Sequence, residues 1–331
     1  MVGAHLGCRR LPLAFAWMAS PPAFRLLGFP VQVKPGFMLL MVLVIVVNGP
    51  DGAEFLQGQV TNDVEALEVG EGQYAALLDR KGHMQTDLRV LRVGAEEIQV
   101  DLEAAPKDQA VRHLTMYSIG RDVAVADATA ERVLLSLIGP RAAEVASAPP
   151  LPEFANEKVT VAGIEALAVG TRDGIDLFTA AADRERLLAA LLEAGAVEVT
   201  PEAAEIVRVE AGVPRFGAEM DARTMPAEAS IVEDAVSFTK GCYIGQETVA
   251  RLHYKGKPNR HLRGLKLSAA AVPGAPLRLG EKEVGTLGGA VVSPALGPIG
   301  LAILRREAEP GAEVLVGEDG VTAEVTALPF G

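Results

Sequence analysis

Cysteine is almost missing from this sequence, which has only Cys8 and Cys242, far apart. No Cys-x-x-Cys pair exists, so neither a disulfide framework nor a zinc site follows. One thiol in the folded part also cannot by itself hold an iron–sulfur cluster, because such clusters normally take four protein ligands. The histidines, His5, His83, His113, His253 and His261, show no metal spacing. Aromatic residues make up 5% of the chain, too few to build a stacking surface for bases. The apolar run at residues 37–47 is shorter than the roughly 20 residues a membrane helix needs. A formal charge of −12 argues against nonspecific nucleic-acid binding.

Acids are absent from the N-terminal stretch, where the first is Asp51, while Arg9, Arg10, Arg25 and Lys34 are present. Residues 1–36 therefore read as a leader or as upstream sequence from a misassigned start, with Met18, Met38 or Met41 as the true one. The leader reading takes residues 11–19 as the apolar part of a transit peptide or signal. An internal start implies a cytoplasmic protein with a reduced thiol, and a transit peptide implies the mitochondrial matrix.

What is present supports a two- or three-domain chain with a sizeable core. Val44-Ile45-Val46-Val47 reads as a buried strand, followed by the turn Asn48-Gly49-Pro50-Asp51-Gly52 and a short helix at 53–59. A hairpin pairs residues 73–78 with 83–93 through Asp79-Arg80-Lys81-Gly82. Asp87 lies inside its second strand, on the side of Arg89 and Leu91, either facing solvent or lining a cavity. Residues 98–200 twice repeat strand, helix, strand, the economical form of a sheet with helices on one face. The proline-rich stretch at 148–152 reads as an exposed connection. Thr200-Pro201 opens a further helix with a cap residue and a first-turn proline, and Glu210 sits at the edge of its apolar face. Beyond Arg260, short strands at 261–267, 277–279, 283–292, 299–304, 313–316 and 321–327 describe a small antiparallel barrel or sandwich.

Unusual chemistry gathers in Lys240-Gly241-Cys242-Tyr243-Ile244-Gly245-Gln246-Glu247, ahead of a short helix at 247–252. A thiol beside an ammonium group and a helix start loses its proton easily. A lone cysteine can equally be a small buried hydrophobe between turn glycines, and the octapeptide alone leaves both readings open. From Lys240 to Arg263 the charge balance reverses: Lys240, Arg251, Lys255, Lys257, Arg260 and Arg263 face one acid, Glu247. That strip suits an anionic ligand or is a solvated loop.

Taken together, these motifs resemble the YgfZ family of folate-binding proteins, described as tRNA-modifying or iron–sulfur cluster assembly factors. That family falls within the superfamily of the glycine-cleavage aminomethyltransferase, the T-protein. The resemblance runs from about Val44 to about Val316. It rests most on the octapeptide followed by Val249-Ala250-Arg251. Further matches in order are Gly49-Pro50-Asp51, Phe55-Leu56-Gln57, Thr61-Asn62-Asp63-Val64, the Gly82-to-Asp87 segment, Arg208 through Glu210 to Gly212, Val284-Gly285-Thr286, Ser293-Pro294 and Gly300-Leu301-Ala302.

The resemblance implies an α+β fold, a three-lobed ring around a central folate channel. Residues 37–97 with 200–259 would form the first lobe, 98–199 a second, ferredoxin-like lobe, and 260–331 a C-terminal barrel. It implies tetrahydrofolate or a one-carbon derivative as ligand, with no metal cluster of the protein's own. Glu210 falls where the superfamily places a pterin-recognising glutamate, and Asp87, Arg208, Tyr243, Gln246 and Arg251 are further candidate folate contacts. Cys242, Lys240 and Asp87 are candidate catalytic groups. Iron–sulfur proteins or their assembly machinery are the implied partners, with Lys255, Lys257, Arg260 and Arg263 open to an anionic one and no membrane involved. One departure stands out: aminomethyltransferases usually carry two adjacent aspartates where this sequence has Thr86-Asp87. The leading expectation is an accessory factor for iron–sulfur protein maturation with effects on tRNA thiolation. The alternatives are a folate-dependent aminomethyltransferase and a non-catalytic folate-binding adaptor.

Overall fold

The structure, a computed structural model, describes residues 36–40, 42–103 and 107–330. The leader and Cys8 lie outside the described residues. Three sheets carry the architecture.

The first sheet has five strands, ordered Gly72–Leu78, Met84–Arg92, Glu97–Glu103, Val42–Asn48, Ala124–Asp127. Strand periodicity explains its packing. Leu43, Ile45 and Val47 point to one face, where Phe55 and Leu56 of the helix Gly52–Gln57 and Ala110 and Leu114 of the helix Lys107–Tyr117 cover them. Val44 points to the other face, against the second sheet. A strand buried on both sides reads as an unbroken apolar run, as this one does.

The second sheet has six strands in the order Val197–Glu198, Gly36–Leu40, Arg132–Ile138, Gly174–Ala180, Ile164–Thr171, Asn156–Val161. Leu187 and Leu191 of the helix Arg184–Glu193 and Ala142 and Val145 of the short helix Ala142–Val145 cover its outer face. Its inner face meets the first sheet through Leu134, Leu167, Val169 and Phe178, which pack with Val44 and Leu91. The result is a four-layer stack of helices, sheet, sheet and helices, in which each sheet keeps helices on one face only. Arg89 staples the two sheets inside this stack, bonding Asp101 of the first (2.7 and 2.9 Å) and Asp176 of the second (2.7 Å).

The third sheet, residues 260–326, has seven antiparallel strands and curls on itself. Gly288 N–H donates to Leu301 O at 2.9 Å and Leu301 N–H to Gly289 O at 2.8 Å, which tie the segment after Lys282–Thr286 to the strand Gly297–Arg305. The helices Pro201–Glu210, Val232–Ala235 and Gln246–Lys255 fill the space between this sheet and the hairpin of the first, with Val209, Ala235 and Val249 in one core with Ala76, Met84, Leu262 and Leu301.

The α+β class and the curled C-terminal sheet match the expectation, and several details differ. The run at 37–47 is two strands in two sheets: Gly36–Leu40 pairs with Arg132–Ile138, and Val42–Asn48 pairs with Glu97–Glu103 and Ala124–Asp127. The strands Glu97–Glu103 and Ala124–Asp127 consequently complete the first sheet instead of beginning the second. Asn156–Val161 is an edge strand in a stretch that carries no strong alternation. The strand anticipated at 283–292 divides into Lys282–Thr286 and Ala290–Ser293, and between them Gly288 and Gly289 lie too close to Glu219 and Arg208 to admit a Cβ.

Candidate functional site

Asp87 stands on the strand Met84–Arg92 opposite Ala76, with Arg89 opposite Tyr74. It faces the loop that carries Arg215 and Phe216, not bulk solvent. Tyr74 OH donates to Asp87 Oδ2 at 2.7 Å. Asp87 Oδ1 is shielded from solvent and makes no hydrogen bond of normal geometry among the described residues, although the Phe216 backbone approaches the carboxyl. An unpaired buried acceptor costs free energy unless something supplies a donor. Burial raises the Asp87 carboxyl above the usual aspartate range, while the Tyr74 bond, the Phe216 backbone and the positive Arg215 pull the other way. Tyr74 is pushed well above the usual tyrosine range by burial and by the Asp87 and Asp234 charges, so it remains a donor at neutral pH. Glu103 joins the cluster, and burial raises its carboxyl against the pull of Arg215. This is a partly desolvated acid with one oriented oxygen and one open one, the arrangement suited to accepting an N–H or holding an ammonium ion.

Arg215 comes from the loop after the helix Pro201–Glu210, and a dense polar array sets its position. All five donors of Arg208 are occupied: Nε and Nη2 on Glu205 (2.9 and 2.6 Å), Nη1 and Nη2 on Glu219 (2.9 and 3.1 Å), and Nη1 on Val213 O (2.5 Å). Glu219 is fully shielded and also accepts from Arg215 N (3.0 Å) and Gly289 N (2.6 Å), which binds this loop to the third sheet. The expectation that Arg208 contacts folate is thereby corrected: a guanidinium has five N–H groups, and none remains for a ligand. Arg215, 39% exposed and only 3.2 Å from Glu205 at one nitrogen, is the cation that faces Asp87 and Glu103. Sequence reading missed Tyr74, Glu103 and Arg215. Tyr74 alone gave a signal, as an aromatic on the strand paired with that of Asp87.

In the octapeptide, Lys240 is buried at 8% exposure. Its Nζ donates to the carbonyls of Gln57 (2.5 Å), Val60 (2.8 Å) and Asn62 (2.9 Å), which use all three N–H bonds of an ammonium. No Lys240 N–H therefore remains to bond Cys242, and the lysine donors turn inward to the chain. Tyr243 is a core residue at 7% exposure, with its ring centroid 5.1 Å from Lys240 Nζ and its hydroxyl pushed up to about 12 by burial. Cys242 is exposed and free. It precedes the helix Gln246–Lys255 by a turn and does not cap it: Gly245 is the cap residue, in the left-handed region at φ +87°, and Gln246 N–H donates to Tyr243 O.

Glu210 receives the hydroxyl hydrogen of Ser293, which joins the helix end to the third sheet and fixes the carboxylate. Gln246 Nε2 reaches Gly241 O at 3.5 Å, and Arg251 pairs on the surface with Glu247 at 2.7 Å. The basic strip divides. Arg260 is held by Glu228 at 2.7 and 2.9 Å and by Arg223 O, and Arg263 donates to Leu262 O. Lys255 and Lys257 stay exposed. Lys255, Arg251 and Tyr254 edge an apolar cavity of about 590 Å³ along the helix Gln246–Lys255, a feature separate from the Asp87 cluster. Among the described residues no group of three or more His, Cys, Asp or Glu side chains is placed to hold a metal ion. None of their helices is long and apolar enough to cross a membrane.

Comparison with known proteins places this geometry in context. The family model of the GCVT N-terminal domain matches residues 41–240. An aminomethyltransferase of Rubrobacter xylanophilus is 31% identical over 296 residues, covering 86% of this chain and 79% of its own. One from Listeria welshimeri is 29% identical over 304 residues, covering 86% of this chain and 83% of its own. The crystal structure of glycine cleavage system aminomethyltransferase T from Bartonella henselae superposes with a TM-score of 0.82 at 23% identity, over 90% of this chain and 87% of the other.

Proposed function

The chain belongs to the family of the GCVT N-terminal domain, and from that membership we propose that it is a tetrahydrofolate-dependent aminomethyltransferase of the glycine-cleavage type. The observation that carries the proposal is the shielded, unpartnered Oδ1 of Asp87 beside Tyr74 and Arg215. Bound tetrahydrofolate supplies the nitrogen that receives the one-carbon unit. Asp87 Oδ1 would be the acceptor open to an N–H of that ligand, while Tyr74 holds Oδ2 and fixes the plane of the carboxylate. Burial keeps the Asp87 carboxyl high in its range, which suits it to take up and return a proton. Arg215 balances the negative charge of Asp87 and Glu103. Glu210, oriented by Ser293, offers a carboxylate to the paired N–H groups of an aminopyrimidinone edge.

The test is turnover of an aminomethylated carrier protein by the purified chain with tetrahydrofolate, read as methylenetetrahydrofolate formed. The wild type turns over, and Asp87→Asn loses roughly 10²–10⁴-fold in kcat. No methylenetetrahydrofolate from the wild type would sink the proposal.

A second reading, the accessory role in iron–sulfur protein maturation, is favoured by one observation: Cys242 is exposed and free in the most distinctive segment of the chain. It expects Cys242→Ala to fail to restore a cluster-dependent enzyme in cells lacking the native gene. Full restoration by that variant would remove it.

A further inference from the structure

We propose that Lys240 is a positioning residue that sets Asp87 from a distance, through the 57–62 loop and Tyr74. The ammonium is surrounded by the carbonyls of Gln57, Val60 and Asn62, so it gathers one loop around a single internal cation. That loop is joined in turn to the strand Gly72–Leu78. Val60 bridges Leu77, Thr61 N–H donates to Ala76 O at 3.1 Å, and Ala76 N–H donates back to Thr61 Oγ1 at 2.8 Å. Asn62 makes the decisive link. Its Nδ2 donates to Tyr74 O at 2.9 Å and to Asp234 O at 3.0 Å, so a residue whose main-chain carbonyl is held by Lys240 fixes, through its side chain, the backbone that carries Tyr74. The Tyr74 hydroxyl completes the path at Asp87 Oδ2.

The path has no evident slack. Thr61 Oγ1 donates to Ala235 O, and Ser237 N–H donates to Thr61 O, so the segment leading into Lys240 closes the loop from the other side. The Tyr243 ring lies over the ammonium, and Asp63 and Glu65 supply nearby negative charge. Removing the cation leaves three carbonyls converging on one another with nothing between them. The loop must open, and Asn62 moves with it.

This inference rests on the aminomethyl-transfer reading only for its kinetic consequence, so the experiment has two arms. In the first, the Asp87 carboxyl is titrated by carbon NMR in the wild type, Lys240→Met, Tyr74→Phe and the double variant, with folding checked by circular dichroism. The Tyr74 bond favours the ionised carboxylate, so Lys240→Met moves the Asp87 midpoint upward, as Tyr74→Phe does. The double variant moves it no further than either single one. Where Lys240→Met is too unstable to titrate, Asn62→Ala leaves the three carbonyls around Lys240 and cuts the link to Tyr74 O, and it gives the same upward shift. A wild-type curve in a folded Lys240→Met, or in Asn62→Ala, overturns the proposal.

In the second arm, Lys240→Ala lowers kcat roughly 100-fold, as expected for a misplaced reacting group, with KM for the carrier little changed. Methylammonium or ethylammonium restores part of it by re-entering the carbonyl cluster. Absence of turnover in the wild type together with shifted titrations would fail the functional reading and keep this inference. Wild-type turnover with unshifted titrations would do the reverse.

Discussion

Asp87 treats its two oxygens differently: Oδ2 takes the Tyr74 hydroxyl, and Oδ1 is shielded without a donor. That asymmetry costs stability, because a buried acceptor is left without a donor. Because burial raises the carboxyl in the folded state, the native protein binds a proton there more tightly than the unfolded chain does. The associated stabilisation is fully present below the unfolded value and is lost as pH rises through the folded one. Asp101 and Glu103 are raised for the same first cause and slope in the same direction. Asp87→Asn, which needs no proton to stay neutral, removes one part of that slope. At neutral pH it stabilises the fold by about 1 kcal/mol, roughly 2 °C in a chain of this size, while activity falls. Urea unfolding from pH 4 to 8 checks it: the variant and wild type converge at the acid end and separate as pH rises. A gap that is constant or widest in acid would contradict the assignment.

At the scale of elements, the turn Asp79-Arg80-Lys81-Gly82 and the start of the helix Gln246–Lys255 press together with no room for another atom. Gly245 has φ +87°, and a Cβ there would stand 2.6 Å from Asp79 O. Gly245→Ala should therefore cost at least about 2 kcal/mol, from the left-handed backbone and the clash together. Gly241→Ala, four residues earlier, meets nothing within 4 Å and has no positive φ. It should leave the thermal midpoint nearly unchanged, so that equal losses at the two sites would refute the steric account.

The same elements show how much was legible in the sequence. The hairpin, the helix after Thr200-Pro201 and the short C-terminal strands follow from period and turn chemistry, and Asp87 was visible as an acid inside an apolar strand. Lys240 was visible as a special residue, but its partners are main-chain carbonyls almost two hundred positions earlier, which no local pattern encodes. The break between Gly36–Leu40 and Val42–Asn48 was hidden for a related reason: both strands are apolar, and only tertiary pairing sends them to different sheets.

The seam between the first two sheets lies next to the site along the strand Met84–Arg92. Arg89 is two residues from Asp87 on the same face and opposite Tyr74, and it binds Asp101 beside it in the first sheet and Asp176 across the seam. Asp101 Oδ1 and Asp176 Oδ1 have no partner among the described residues, so the triad is incompletely satisfied even when intact. Burial outweighs the Arg89 charge at Asp101 and raises its carboxyl. Breaking such a group from one side leaves buried charge uncompensated, whereas exchanging the whole group for apolar residues is often neutral or stabilising. Arg89→Met should accordingly cost about 3–5 kcal/mol. The triple variant Arg89→Met, Asp101→Leu, Asp176→Leu should regain most of that loss. Denaturant midpoints for the two proteins decide between electrostatics and volume. If the triple variant is no more stable than the single one, the packing of the guanidinium over the Phe178 ring is what holds the sheets. If stability returns, the charges serve alignment instead, and Tyr74 and Asp87 should lose their register and their activity in a protein that is otherwise folded.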